Sequence, residues 1–221
     1  MRNYSIFDIV GPIMIGPSSS HTAGAAKIAS VGRKIAGRGF YRVDFDLHGS
    51  FASTYQGHGT DKALVAGIIG LDPSDEKIRD SFELAKKMNL DIHFHLKDLG
   101  DVHPNTVQIR LTYPGKIVSI TGSSIGGGNI LITQVDGVEM EYTMEYPLVI
   151  FQYTDCRGII SKITGYFSEH GYNIETIKTV RKDKEVSLLI ELNENIKEEA
   201  LEELKEKHIF KKIMYIGKRS I

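Results

Sequence analysis

Apolar and polar residues follow two rhythms along this chain. Val43, Phe45 and Leu47 alternate with Asp44, Asp46 and His48, which predicts a half-buried strand. Ile92, Phe94 and Leu96 keep the same period of two, and so do Val107, Ile109 and Leu111. Tyr113-Pro114-Gly115 then predicts a hairpin turn into a strand carrying Ile117 and Ile120. A further strand is expected over 130–135, turning at Asp136-Gly137. Helical spacing predicts a helix over 20–36, lined early by Ala23, Gly24, Ala25, Ala26 and Ala29, with Ser20 or Thr22 as its cap. Residues 60–69 are expected to be helical. A single helix is expected over 74–88, with Ile78, Phe82 and Leu84 or Ala85 on one face and Asn89 ending it. Together these elements predict an α+β unit with a mostly antiparallel sheet.

Near Glu145 the pattern becomes regular and compact. Strands are expected over 147–153, 172–181, 186–192 and 209–216, with a hairpin tip at Lys182-Asp183. Helices are expected over 158–170, with Ile159, Ile160, Ile163, Tyr166 and Phe167 inward, and over 196–207. The order βαββαβ is the ferredoxin-like plan. The expected domains are therefore 1–145 and 146–221.

Composition narrows the function classes. Lys and Arg number 27 against 28 Asp and Glu, a net charge of -1, so no global electrostatic footprint for nucleic acid or an acidic membrane is present. No apolar run approaches the roughly 18–20 residues of a spanning helix. Met1-Arg2-Asn3-Tyr4 leads into polar sequence with no apolar signal region, so the expected location is cytoplasmic. Cys156 is the only cysteine. It can neither close an internal disulfide nor, without further thiolates, hold an iron–sulfur cluster.

Four segments carry candidate chemistry. In Gly16-Pro17-Ser18-Ser19-Ser20-His21-Thr22-Ala23-Gly24, hydroxyls and an imidazole precede a predicted helix, whose N-terminal N–H groups suit a carboxylate or phosphate. A loop that merely caps the helix is the plainer alternative. In the stretch from Gly49 to Lys62, His58 stands between two glycines, followed by Thr60 and Asp61 at a helix start. A tight turn explains that pattern equally well. His103-Pro104-Asn105-Thr106 enters a strand; Pro104 favours extended backbone at His103. Gly126-Gly127-Gly128 follows Ser123-Ser124 and reads either as a nest of backbone N–H groups or as a hairpin loop. One site for a small carboxylate-bearing molecule would use all four segments.

Taken together, these motifs resemble the beta subunit of the bacterial iron–sulfur L-serine dehydratases, in family order and over essentially the whole chain. The resemblance implies an enzyme converting L-serine to pyruvate and ammonia, with a [4Fe–4S] cluster held by a partner alpha subunit and no metal ligand on this chain. It implies that the N-terminal part is like the allosteric substrate-binding domain of some 3-phosphoglycerate dehydrogenases, and that the C-terminal part is an ACT domain. By resemblance, His21 and His58 are the catalytic candidates, in acid/base or regulatory roles. Ser18, Ser19, Ser20, Thr22, Gly24, Thr60, Asp61, His103, Asn105, Gly126, Gly127 and Gly128 are the substrate-binding candidates. In the ACT part, Asp155, Gly158 and Asn173 match the family's ligand positions. An amino acid or a monovalent cation is implied there, together with homodimerisation through ACT domains. Cys156 is expected to be a packed small residue rather than a redox sensor. The competing reading is a free-standing amino-acid sensor without a catalytic partner. A detached regulatory region of a serine-synthesis dehydrogenase is disfavoured by the lack of a dinucleotide-binding segment, and a piece of a single-chain dehydratase by the ACT ending.

Overall fold

The computed structural model describes residues 13–218. They form two compact units that divide between Thr143 and Met144. In the first, a π-helical turn, Ser20–Gly24, runs into α1 (Ala25–Ala36). There follow β1 (Arg42–Leu47), α2 (Gly49–Thr54), α3 (Thr60–Ile69), a 3-10 turn (Glu76–Asp80), α4 (Ser81–Lys87) and β2 (Asp91–Leu96). The unit ends with β3 (Thr106–Tyr113), β4 (Lys116–Gly126), β5 (Asn129–Val135) and β6 (Val138–Tyr142). The sheet order is β2-β1-β3-β4-β5-β6. Only β1 and β2 run parallel, and the other neighbours are antiparallel.

The expected α+β architecture is present, with three local differences. The 74–88 segment is not one helix. Asp75 Oδ1 accepts from Lys77 N at 2.9 Å and starts a tight 3-10 turn. The chain then restarts as α4 at Ser81, whose buried hydroxyl donates to Lys62 O at 3.0 Å. The change of pitch puts Phe82 out of phase with Ile78, and Phe82 is exposed. Gly49–Thr54, read from sequence as part of a loop, is a short helix. Val138–Tyr142 forms a strand that the sequence pattern did not single out. The two expected hairpins at glycine turn through left-handed backbone: Gly115 has φ of 79°, and Asp136 and Gly137 have φ of 48° and 78°.

The core lies where α1 packs on one face of the sheet, with α3 against α1. Val43, Phe45, Leu47, Ile109, Leu111 and Ile120 are fully buried there. On β1 the alternate residues, Asp44 and Asp46, were expected to be the solvated face. Instead both are buried. Asp46 accepts from Lys97 at 2.8 Å and Arg110 at 3.0 Å, and Asp44 from Arg42 and His95, each as close as 2.8 Å. The Arg42 guanidinium holds the Asp44 carboxyl well below the usual carboxylate range. Buried carboxylates persist because each is paired and hydrogen-bonded.

The second unit contains β7 (Leu148–Thr154), α5 (Ile159–Glu169), β8 (Ile174–Lys182), β9 (Glu185–Leu192), α6 (Glu198–Glu206) and β10 (Lys212–Ile216). Its antiparallel sheet has the order β10-β7-β9-β8. This is the expected βαββαβ plan. Val149, Phe151, Leu188 and Ile190 meet Ile163 and Phe167 of α5 and Leu204 of α6 in its core. Ile160, expected to face inward, is exposed at the edge of the α5 stripe. Among the described residues, no helix is long and apolar enough to cross a membrane.

Helix α3 approaches α1 through Gly67. A Cβ there would strike the backbone carbonyl of Ala26 and the methyl of Ala29. Backbone cannot step aside as a side chain can, so Gly67→Ala is expected to destabilise the chain by about 1–3 kcal/mol. The measurement is the melting temperature; an unchanged value would contradict this contact.

Candidate functional site

The site forms where four loops meet at the ends of α1, α2, α3 and the β4–β5 hairpin. The π-helical turn sets its first wall. Ser19 is already helical, and neither Ser20 nor Thr22 caps the helix. The expected cap is absent because the wider turn uses backbone carbonyls. Thr22 N donates to Ser18 O at 2.8 Å and Gly24 N to Ser19 O at 2.9 Å, while His21 N reaches Ser18 Oγ at 3.3 Å. These N–H groups are engaged within the segment, so they do not form the open anion nest expected of a helix start. The same turn carries both His21 and Thr22 inward, where they are buried.

The His21 imidazole is held between two hydroxyls. Nδ1 lies 3.2 Å from Ser18 Oγ and Nε2 lies 3.1 Å from Ser50 Oγ. A neutral ring accepts from one hydroxyl and donates to the other. The ring also packs edge-on against Phe51, with centroids 5.3 Å apart, and against His58, at 4.8 Å. Burial pushes the His21 value down, nearby His58 adds to this, and a hydrogen bond from the ring to the Ser50 backbone opposes it. His21 is therefore a neutral imidazole at pH 7.

Ser50 sits in the first turn of α2, where its N–H donates to Pro104 O at 2.8 Å. Gly49 allows this approach: its φ is 54°, and a Cβ would meet the Pro104 carbonyl at 2.7 Å. That contact joins the 103–106 loop to the site. Ser124 N donates to Asn105 O at 2.9 Å, and Thr106 Oγ1 pairs with Ser123 Oγ at 2.7 Å. On the far side, a Cβ on Gly24 would run into the Ser124 hydroxyl. The loops named from sequence are thus knitted together by backbone contacts at glycine and proline.

Individual candidates differ in placement. Ser18, His21 and His58 converge. Thr22, Thr60 and Asn105 lie in the walls, where Thr22 Oγ1, Thr60 Oγ1, Asn105 Oδ1, His58 Nδ1 and Ser124 Oγ are buried with no hydrogen-bond partner. Buried polar atoms are ordinarily paired, so this concentration is what a polar ligand would complete. Asp61 accepts from Lys62 N at 2.8 Å, and burial pushes its carboxyl up. Ser19 contributes its carbonyl to the turn, and Ser20 begins it. His103 is exposed and holds its own loop, accepting from Asn105 N at 3.1 Å through Nδ1. Gly127 and Gly128, with φ of 59° and 77°, form a two-residue hairpin turn, the plainer of the two sequence readings. Ser50, Ser124 and Lys27 were not singled out. Ser50 and Ser124 lie inside the motif segments; Lys27, whose Nζ donates to Gly128 O at 2.8 Å, carries no motif signal at all.

In the second unit, Asp155 and Gly158 line a cleft of about 530 Å³ with Cys156, Arg157, Ile160 and Arg181. Gly158, with φ of 82°, starts α5. Asn173 is elsewhere: its N–H donates to Asn193 Oδ1 at 3.1 Å, beyond the opposite end of the sheet. Within one chain the three expected ligand positions do not converge. Cys156 is exposed rather than packed, because its loop stands off the core.

The comparisons with known proteins agree in direction. Residues 5–91 match the serine dehydratase beta chain family, and residues 148–208 match the ACT domain. The chain is 46% identical to the L-serine dehydratase beta chain of Peptoniphilus asaccharolyticus, over 90% of this chain and 91% of that one. It is 40% identical to a probable L-serine dehydratase beta chain of Bacillus subtilis (strain 168), over 92% and 94%. A D-3-phosphoglycerate dehydrogenase of Methanocaldococcus jannaschii is 26% identical over 56% of this chain and 24% of its own length.

His21 is held below its unfolded value of about 6.5. The unfolded chain therefore takes up a proton first as pH falls. The stability from keeping His21 neutral is full above the unfolded value and is lost as pH falls through the lower folded one. Thermal denaturation between pH 7.5 and 5.5 should show a falling midpoint, and His21→Gln should flatten that fall. An identical slope in the variant would assign it to another group.

Proposed function

The chain belongs to the L-serine dehydratase beta-chain family, and from that premise we propose that the cluster of Ser18, His21, Ser50 and His58 is where it meets L-serine. The chain is one subunit of a two-chain L-serine ammonia-lyase. The reaction removes the α-proton and the β-hydroxyl of serine; the resulting aminoacrylate tautomerises, and water releases ammonia and pyruvate. The observation that carries the reading is His21, neutral between two hydroxyls and edge-on to His58, whose Nδ1 is unpartnered. Neutral imidazole can take a proton or bond a hydroxyl or ammonium, and serine carries both of those groups.

The [4Fe–4S] cluster implied by the family does not fit this chain. Cys156 is the only cysteine, and among the described residues no group of three or more His, Cys, Asp or Glu side chains could hold a metal ion. The alpha chain is the partner that holds the cluster in this reading. The residues up to about 145 are the substrate-handling domain, those from about 146 are the regulatory ACT domain, and the assembly works in the cytoplasm. The Asp155–Gly158 cleft takes an amino acid or a monovalent cation.

The test is pyruvate formation by the assembled two-chain enzyme across L-serine concentrations. His21→Ala and His58→Ala should each lower turnover, or raise the half-saturating serine concentration, by tenfold or more, in line with the roughly 10²–10⁴-fold range of acid–base groups. Unchanged kinetics in both would overturn the site.

Homodimerisation through the ACT unit is supported by β8, an edge strand with exposed Ile177 at its middle. Such an edge is a template for pairing with a second copy. Ile177→Lys should shift the chain toward a lower mass in sedimentation; an unchanged mass would remove β8 from the interface.

A further inference from the structure

Resting on the serine-site reading above, we propose that Lys27 supplies the positive charge that holds the carboxylate of the amino acid bound there.

Lys27 is half-buried in the second turn of the helix that begins at Ser20. Its Nζ donates to the Gly128 carbonyl at 2.8 Å. Among the described residues, no carboxylate lies within the 4.0 Å of an ion pair from Lys27. An ammonium has three donors, and the carbonyl uses one. Holding a charge out of water with one neutral partner is unfavourable, and burial accordingly pushes the Lys27 value down. A carboxylate would relieve that cost and form charge-assisted hydrogen bonds, roughly twice as strong as neutral ones.

Lys27 stands three residues after Gly24, so both occupy one side of the helix. Gly24 faces Ser124 at the distance of direct contact, and Lys27 reaches the tip of the same hairpin. Ser124 Oγ, at the Gly24 contact, has no hydrogen-bond partner, and Asn105, whose carbonyl accepts from Ser124 N, has an unpartnered Oδ1 as well. Those oxygens can accept from an amino acid's ammonium while Lys27 meets its carboxylate. His21 cannot supply the charge, because burial keeps it neutral.

The test uses the assembled two-chain enzyme. Lys27→Gln keeps a donor for the Gly128 carbonyl and removes the charge; Lys27→Arg keeps the charge. The readouts are the half-saturating L-serine concentration, the turnover at saturation and the melting temperature. Lys27→Gln should raise half-saturation by about tenfold or more, the scale of a lost hydrogen bond to a charged group. Its melting temperature should stay near the parent's, and Lys27→Arg should stay within about threefold of the parent in half-saturation. Parent-like serine dependence in Lys27→Gln, or Lys27→Arg as impaired as Lys27→Gln, would overturn the assignment. His21→Ala, run in parallel, separates the two readings. If it alone is impaired, the site stands and the Lys27 role falls; if neither variant is impaired, the site itself falls. Should Lys27→Gln fail to assemble, Lys27→Met takes its place, and failure of both would mark Lys27 as structural and end the proposal.

Discussion

The N-terminal unit depends on how closely helix α1 and the turn before it can approach their neighbours. At Gly67 the facing helix comes within contact of the Ala26 carbonyl, and at Gly122 strand β4 admits Ile28. At Gly24 the turn lies directly on Ser124. A methyl group at any of these places would collide with backbone or with a packed side chain. Interiors are packed at crystal-like density, so such a collision would displace a whole element. The same approach sets His21 beside Ser50, Phe51 and His58, which come from a segment some thirty residues away. Packing at glycine and alanine is thus the physical basis of the polar cluster.

The unit handles charge in two contrasting ways. On the uncovered side of β1, Asp44 and Asp46 are fully answered by Arg42, His95, Lys97 and Arg110, with short bonds on every carboxylate. Such a network is structurally complete and leaves nothing for a ligand to satisfy. Around His21 the situation is reversed. Hydroxyls, an amide oxygen and an imidazole nitrogen are buried without partners among the described residues, and the Lys27 ammonium donates to a carbonyl. Leaving such groups unsatisfied costs stability, and sites that bind are where that cost is tolerated.

The C-terminal unit is simpler. Its helices and sheet interlock around Phe151, Phe167 and Leu188, and the turn after β7 lines the cleft at Asp155 and Gly158. Gly158 in the left-handed region lets α5 start abruptly, so the loop walls a cleft instead of packing. Asn173 lies past the other end of the sheet. Any ligand that uses Asn173 together with Asp155 and Gly158 therefore needs a second copy of the unit.

Periodicity was enough to read the α+β class, the βαββαβ order of the second half and the four polar segments. Those properties are local: alternation of two or 3.6 residues, turn glycines and motif spacing are written in neighbouring positions. The motifs in family order also identified the beta-chain family. The break at Asp80 was not legible, because the hydroxyl of Ser81 chooses a partner, Lys62, nineteen residues earlier. The burial of Asp44 and Asp46 was not legible either, since alternation alone marks them as solvent-facing; Arg42 and His95 pair with Asp44, and Lys97 and Arg110 with Asp46, to make their burial possible. Ser50, Ser124 and Lys27 joined the site through contacts spanning 29 to 101 residues of chain. Local pattern says which face a residue prefers, but which distant groups meet there is decided by the close packing of glycine-lined elements. That packing is a property of the whole fold.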